Sequence, residues 1–189
     1  MVNWVVLERK KTSAADFIRF WSSLYADPLE HLYAGSMVKP LTPDKVYNLF
    51  TWKNGVKLSE RKKHSVKVNF IDKLDTLDRL PPETSPEDFL DMFSDGGAIW
   101  RIFWLHCWQP SHFPIYDMHV HRAMMYLEIG TLEELSNLND TQKIDLYVDR
   151  YLEFVKSFDG VEIRQIDRAL WTFGKFIKEW QLAPLGSSG

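Results

Sequence analysis

A chain of 189 residues, 45% hydrophobic and 14% aromatic, has ample material for one packed core and needs neither disorder nor a metal staple to explain it. Arg101 and His106 interrupt its longest apolar run, so no stretch reaches the roughly 18 residues of a membrane span. Met1–Lys11 lacks the layout of a secretion signal, which makes a cytoplasmic location the expectation. The formal charge of −3 does not mark a nucleic-acid binder, and the single Cys107, set among Trp104, Leu105 and Trp108, excludes an internal disulfide and reads as a buried, inert thiol.

Residues 2–8 have the composition of an extended arm or short strand, and the punctuation after them is helical. Ser13-Ala-Ala-Asp16 is a capping-box-like start, with Phe17, Phe20, Trp21 and Leu24 following at helical spacing. Thr42-Pro43 reads as N-cap and first helical residue, Val46, Leu49 and Phe50 as the buried stripe, and Asn54-Gly55 as the stop. Ser59 opens a basic helix reaching Val66 and Phe70. Pro81-Pro82 breaks the chain, and Ser85-Pro86 caps the next helix with Phe89, Leu90 and Phe93 inward. Asp95-Gly96-Gly97 makes a tight turn into Ala98–Trp108, which is apolar on nearly every side and so predicts the central helix.

Pro110 and Pro114 bracket a loop before a helix over about Met118–Leu127. Thr131-Leu-Glu-Glu134 predicts a capped short helix, and Ile144, Tyr147, Val148, Tyr151, Leu152, Val155 and Phe158 predict four regular turns ending at Asp159-Gly160. The last helix is expected to bury Ile163, Ile166, Leu170, Phe173 and Ile177. These elements describe an all-α, two-lobed helical domain over residues 1–184, with a hairpin-like turn near 94–98. Residues 185–189 read as a flexible tail of partly artificial origin.

Charge is unevenly spread. Lys53, Lys57, Arg61, Lys62, Lys63 and Lys67 gather within 15 residues against Glu60 alone, whereas acidic residues crowd Asp72–Asp78, Glu83–Asp95 and Glu128–Asp149. A local basic patch on an acidic chain suits phosphate contact, and equally a solvated helix face.

The glycine turn, the buried helix and the segment Phe113-Pro-Ile-Tyr-Asp-Met-His-Val-His-Arg122 stand in one order. Asp117 follows Gly97 by 20 residues and precedes His119, Val120 and Arg122. Later comes Leu170-Trp-Thr-Phe-Gly-Lys175. Over roughly residues 85–178 this pattern resembles a divergent member of the helix-hairpin-helix DNA glycosylase superfamily, and Gly97–Phe103 is also similar to a set of uncharacterised bacterial proteins. The resemblance implies hydrolysis of the N-glycosidic bond of a flipped base, with Asp117 as the catalytic carboxylate. It implies double-stranded DNA with a damaged or mismatched base as partner, a monomer, and no cofactor or metal.

A carboxylate under the sugar stabilises an oxocarbenium-like state, and a helix start keeps it ionised. The same position is that of an ordinary Asp N-cap. His119 is expected to brace the loop, Tyr116, or else Trp100 or Trp104, to stack on the base, and Arg122 to pair with Asp117 or a phosphate. Gly96 and Gly97 would anchor a phosphate, with Lys53, Asn54, Arg61, Lys62 and Lys63 as further DNA contacts. Where bifunctional members carry a lysine this chain has Ile99, so a lysine-based lyase is not expected. Asp95-Gly96-Gly97 replaces the family's Gly-x-Gly, and Met118 replaces a threonine. Two alternatives stay open: a non-catalytic DNA-binding protein on the same scaffold, and a helical protein-interaction domain with no nucleic-acid role.

Overall fold

A computed structural model describes residues 12–182, and among these the chain is helical with no strand. The expected arm over residues 2–8 and the tail over 185–189 lie outside the described residues. Local caps set most of the boundaries. In α1 (Ala14–Ser23) the Ser13 hydroxyl accepts from the Asp16 amide. Leu29, a residue that cannot cap with its side chain, precedes the seven-residue α2 (Glu30–Ser36), which the spacing analysis did not anticipate. Thr42, Ser59 and Ser85 cap α3 (Pro43–Asn54), α4 (Glu60–Asn69) and, beyond the short α5 (Leu74–Asp78), α6 (Pro86–Met92). Gly55 stops α3 at φ 75°, the left-handed conformation that favours glycine.

The Asp95-Gly96-Gly97 turn, with Gly96 at φ 93°, leads from α6 into α7 (Ala98–Trp108). Arg101 stitches it by donating to the carbonyls of Phe93 and Leu90, which closes the C-terminal end of α6. Ile102 to Trp108 are all buried in α7, as its uniform apolarity required. Each such large side chain contributes on the order of 1.5–3 kcal/mol by leaving water.

Two expectations are corrected further on. Thr131–Glu134 begins no helix: after α8 (Met118–Ile129) the chain runs extended to a single 3-10 turn over Leu135–Asn137, because the Glu134 carboxylate is engaged by Arg122. The four regular turns are instead α9 (Asp140–Asp145), a π-helical turn over Leu146–Tyr151, and α10 (Leu152–Lys156). In α1, Phe20 and Leu24 are exposed, and Ile18 is the residue that goes inward, with Phe17 and Trp21 packed half-buried beside it.

The long α11 (Ile163–Leu182) closes the fold by packing on both α1 and α8. Its inward stripe is Ile166, Ala169, Leu170, Phe173 and Ile177. Gly174 interrupts that stripe for a steric reason. A Cβ there would stand 1.8 Å from the His119 carbonyl oxygen, so α8 and α11 touch backbone to backbone. Gly174→Ala should therefore lower stability by about 3 kcal/mol or more, read as a fall in urea midpoint; a loss below about 1 kcal/mol would mean that the two helices part easily.

Candidate functional site

Between α3, α7, α8 and α11 lies a cleft of ≈ 480 Å³, a size that takes a small ligand. Trp52, Lys53 and Asn54 from α3, Ile99 and Trp100 from α7, Asp117 and His119 at the start of α8, and Arg164, Asp167 and Trp171 from α11 all border it.

Asp117 is delivered to this cleft by an extended segment whose backbone is held from four sides. His106 of α7 donates from Nδ1 to the Phe113 carbonyl at 2.6 Å. Tyr147 and Tyr151, both in the π turn, donate to the Pro114 and Ile115 carbonyls at 3.1 and 3.2 Å. Lys53 donates to the Tyr116 carbonyl at 3.1 Å. Four consecutive carbonyls thus each accept from a side chain of another element, and the Ile115 amide donates to Asp167 Oδ1 at 3.0 Å. The tautomer of His106 follows from its partners: a carbonyl only accepts, so Nδ1 carries the hydrogen and Nε2 accepts from the Tyr33 hydroxyl at 2.7 Å. Burial pushes the His106 pKa down to about 3, which keeps this buried ring neutral.

Asp117 is the N-cap of α8. Its Oδ1 accepts from the His119 and Val120 amides at 2.9 and 3.1 Å, and its Oδ2 lies 3.3 Å from Lys53 Nζ. Burial pushes its pKa up, but Lys53, His119 and the two amides overcome this and hold it below the usual aspartate value. The carboxyl is ionised, with about a fifth of its side chain exposed.

The other expected residues are placed as follows. His119 borders the cleft, rests its ring edge on Trp171, and accepts from Arg122 at Nδ1. Burial first, and then neighbouring cations, hold its pKa below the ordinary histidine value against the pull of Asp117. Arg122 meets neither Asp117 nor the cleft. It is buried, bonded to both oxygens of Glu134 at 2.8 and 3.0 Å and to the Gly174 carbonyl at 3.1 Å, so its role is to lock α8 to α11. Tyr116 is fully buried against Tyr147 and Tyr151 with its hydroxyl on His121 Nδ1, and is not placed to stack on a ligand.

Lys53 is almost inaccessible, with 5% of its side chain exposed, and stands inside the cleft on Asp117 rather than on its rim. Asn54 borders the cleft and accepts from Lys62, while Arg61 and Lys62 lie exposed on α4 and Lys63 pairs with Glu60. At Gly97 the first turn of α7 has no side-chain cap. Asp95 is held by Lys73 at 2.8 Å, but the Asp140 carboxylate comes within 3.9 Å of where a Gly97 Cβ would stand. Among the described residues no group of three or more His, Cys, Asp or Glu is arranged to hold a metal ion, and no helix is long and apolar enough to cross a membrane.

The residue that sequence reasoning missed is Asp167. It falls on the inward stripe of α11 beside Ile166 and Leu170, and a carboxyl on an apolar stripe was the available signal. It is 2% exposed, its one hydrogen bond comes from the neutral Ile115 amide, and its Oδ2 has no partner among the described residues. Burial pushes its pKa up to about 8, against Arg164, the Ile115 amide and Lys53, with Asp117 adding to the rise. Arg164 itself is held by Glu30 at 2.7 Å and lies over the Tyr33 ring at 4.3 Å. Tyr25 and Trp171, packed edge to face at 5.3 Å, complete an aromatic wall that was likewise not anticipated.

No family model, curated protein or solved structure matches this chain.

The raised pKa of Asp167 has a consequence for stability. Between the unfolded value near 4 and the folded value of about 8, the folded protein holds a proton that the unfolded chain has released. Stability falls as pH rises through that window. Asp167→Asn keeps the acceptor for Ile115 and removes the titration, so thermal melts should show the variant gaining on the wild type from pH 5 to pH 8. A constant gap would place Asp167 in the ordinary carboxylate range.

Proposed function

We propose that this chain is a monofunctional DNA N-glycosylase of the helix-hairpin-helix type, hydrolysing the glycosidic bond of a damaged or mismatched base flipped out of duplex DNA. The observation that carries the reading is Asp117: a carboxylate kept ionised by two amides and an ammonium, opening on a cleft walled by Tyr25, Trp100 and Trp171. Its spacing of 20 residues from Gly97 and the α6–α7 hairpin in front of it support the same reading.

Leaving of a base builds positive charge on the sugar, and a fixed carboxylate with most of its side chain buried stabilises that charge. The depressed pKa makes Asp117 a weak proton acceptor, so its part is electrostatic and water-orienting. The extruded base would lie against the aromatic wall. Arg61 and Lys62, exposed on α4 beside the Asn54 rim, are the cations best placed for the DNA backbone. Ile99 in the cleft wall offers no amine, and the Lys53 ammonium is occupied by Asp117 and the Tyr116 carbonyl.

One observation favours a non-catalytic DNA-binding protein instead. Oδ1 of Asp117 is fully used as a cap and Oδ2 is neutralised by Lys53, an arrangement that serves structure alone.

The two readings separate in one experiment. Duplexes carrying a panel of damaged and mismatched bases are incubated with protein, then treated with alkali to cut abasic sites. At least one duplex should be cut, and Asp117→Asn should reduce the rate by about a hundredfold or more; Asn keeps the cap but leaves the nearly inaccessible Lys53 without its anion, so the variant should melt lower than the wild type while staying folded at the assay temperature. Borohydride should trap no covalent complex. Duplex affinity that persists without base release, unchanged in Asp117→Asn, would select the binding protein, and the absence of any duplex binding at low salt would sink both.

A further inference from the structure

Asp117 has one oxygen left to act with. Its Oδ1 accepts both the His119 and Val120 amides, so what the carboxylate does in the cleft is done through Oδ2. That oxygen carries the Lys53 ammonium at 3.3 Å. The same ammonium donates to the Tyr116 carbonyl at 3.1 Å and stands over the Phe103 ring at 5.7 Å. Carboxylate, carbonyl and ring face are all electron-rich, and together they hold a cation at this place.

This ion pair differs from the others at the cleft. Among the described residues, Lys53, Lys143 and Arg164 are the lysine and arginine side chains that border it. Lys143 is paired with Asp140 and Arg164 with Glu30, anions that do not border the cleft, whereas Asp117 does. The Lys53–Asp117 contact is also loose. Tight ammonium–carboxylate hydrogen bonds measure about 2.7–2.9 Å, against 3.3 Å here. Lysine holds an anion as a point charge on a flexible stem, without the fixed fork of arginine. About a fifth of the Asp117 side chain is exposed and only 5% of Lys53, so the carboxylate is reachable while its cation is nearly enclosed.

A carboxylate already matched by an ammonium has little negative charge left to offer a second cation. We propose that the place of the Lys53 ammonium is a cation subsite, filled by the protein itself in the free state and yielded to the cationic sugar that forms as a base leaves. The inference rests on the glycosylase reading for the identity of that cation, and it makes the Lys53–Asp117 pair a resting state. The ammonium has a second destination. Lys53 precedes Asn54, which borders the cleft and accepts from the exposed Lys62, and a phosphate held at Lys62 would draw a flexible ammonium towards it. The two amides stay on Oδ1 when Lys53 leaves and continue to favour the ionised carboxylate.

Pyrrolidinium, a sugar-sized ring carrying a full positive charge, tests the subsite without DNA and without turnover. Tetrahydrofuran is its neutral counterpart. Trp100 and Trp171 border the cleft, so tryptophan fluorescence reports binding. Lys53→Met, which removes the charge and keeps most of the stem, should bind pyrrolidinium saturably at constant ionic strength, at least about tenfold more tightly than the wild type. Tetrahydrofuran should show no such gain, and the Lys53→Met/Asp117→Asn double variant should lose it. Lys53→Gln retains an amide donor for the Tyr116 carbonyl and should behave as Lys53→Met does, which keeps the test open if the methionine variant folds poorly. On a duplex that the wild type cuts, both single variants should release base at least about tenfold faster at saturating protein, because the opposing charge is gone.

Equal pyrrolidinium binding by wild type and both single variants, a gain that survives in the double variant, or base release no faster in the variants than in the wild type would each overturn the inference. Base release by the wild type with no pyrrolidinium gain in either variant would leave the glycosylase reading intact and remove this one. A gain that depends on Asp117, with no base release from any duplex, would keep the cation subsite while the glycosylase reading falls, and with it the sugar as the cation.

Discussion

The site depends on the fixing of residues 113–116. An extended segment inside a helical protein has no ladder of its own, so each buried carbonyl must find a donor elsewhere. Here the donors are His106, Tyr147, Tyr151 and Lys53, taken from α7, the π turn and α3. The hydroxyls of Tyr147 and Tyr151 and the Nδ1–H of His106 are buried donors that the segment satisfies, and Lys53 is shared between the segment and Asp117. The bonds therefore specify one position of the segment relative to three elements, and that position sets where Asp117 emerges. The π turn has a function in this scheme. It carries both tyrosines, four residues apart, whose hydroxyls reach adjacent carbonyls.

The same scaffold produces two aspartates in opposite states. Asp117 and Asp167 border one cleft, and the Ile115–Tyr116 backbone touches both of their networks: the Ile115 amide binds Asp167 and the Tyr116 carbonyl shares Lys53 with Asp117. The difference lies in what accompanies burial. Asp117 has two amides and an ammonium, enough to outweigh desolvation, whereas Asp167 has one amide and no ion pair. A pair of carboxyls pushed apart in this way places one ionised and one neutral acid at residues bordering the same cleft. Ionisation of Asp167 would put a second charge beside the first, and Asp117 already contributes to raising its pKa.

What was legible in the sequence was local. Caps such as Thr42-Pro43, Ser59 and Ser85-Pro86 act within a turn of their own position, so their helices begin where the residues say. The position of Asp117 at a helix start was legible for the same reason. The uniform apolarity of Ala98–Trp108 was legible because a helix with no polar face has nowhere to lie but inside. The rest was decided by what meets what. Nothing within the sequence near Leu29 announces α2, which has no side-chain cap and is held largely by packing on α3. Glu134 matched a capping pattern, but an arginine 12 residues earlier competes for the same carboxylate and wins, being otherwise a buried unpaired charge. Lys53 looked like a surface cation from its basic neighbours, yet the turn of α3 that carries it faces inward with Trp52. Tyr116 precedes the key aspartate in sequence and points away from it in space.

The residues that made the Asp117 segment recognisable are, in the structure, chiefly a joint between helices. The missing Cβ of Gly174 lets α11 touch the His119 backbone; Arg122 then bonds the Gly174 carbonyl and the His119 ring, and Glu134 holds Arg122. Every member of that set can be required for stability alone. A pattern of Asp, His, Val and Arg at this spacing can therefore serve the joint alone, because the joint is needed to keep α8 against α11 whatever the cleft does. The pattern says where the carboxylate stands; it does not say what the carboxylate does. That question belongs to the atoms outside the joint, namely Asp117 Oδ2 with its ammonium partner. A protein that needed only the joint would gain stability by filling the cleft with apolar side chains and by pairing Asp167 and Trp52 internally, since each buried unsatisfied group costs on the order of 1–3 kcal/mol. This chain leaves the cleft open and Trp52 Nε1, Arg164 Nε and Asp167 Oδ2 unpaired at residues that border it, as it leaves Trp104 Nε1, His121 Nε2 and Arg168 Nε unpaired elsewhere among the described residues.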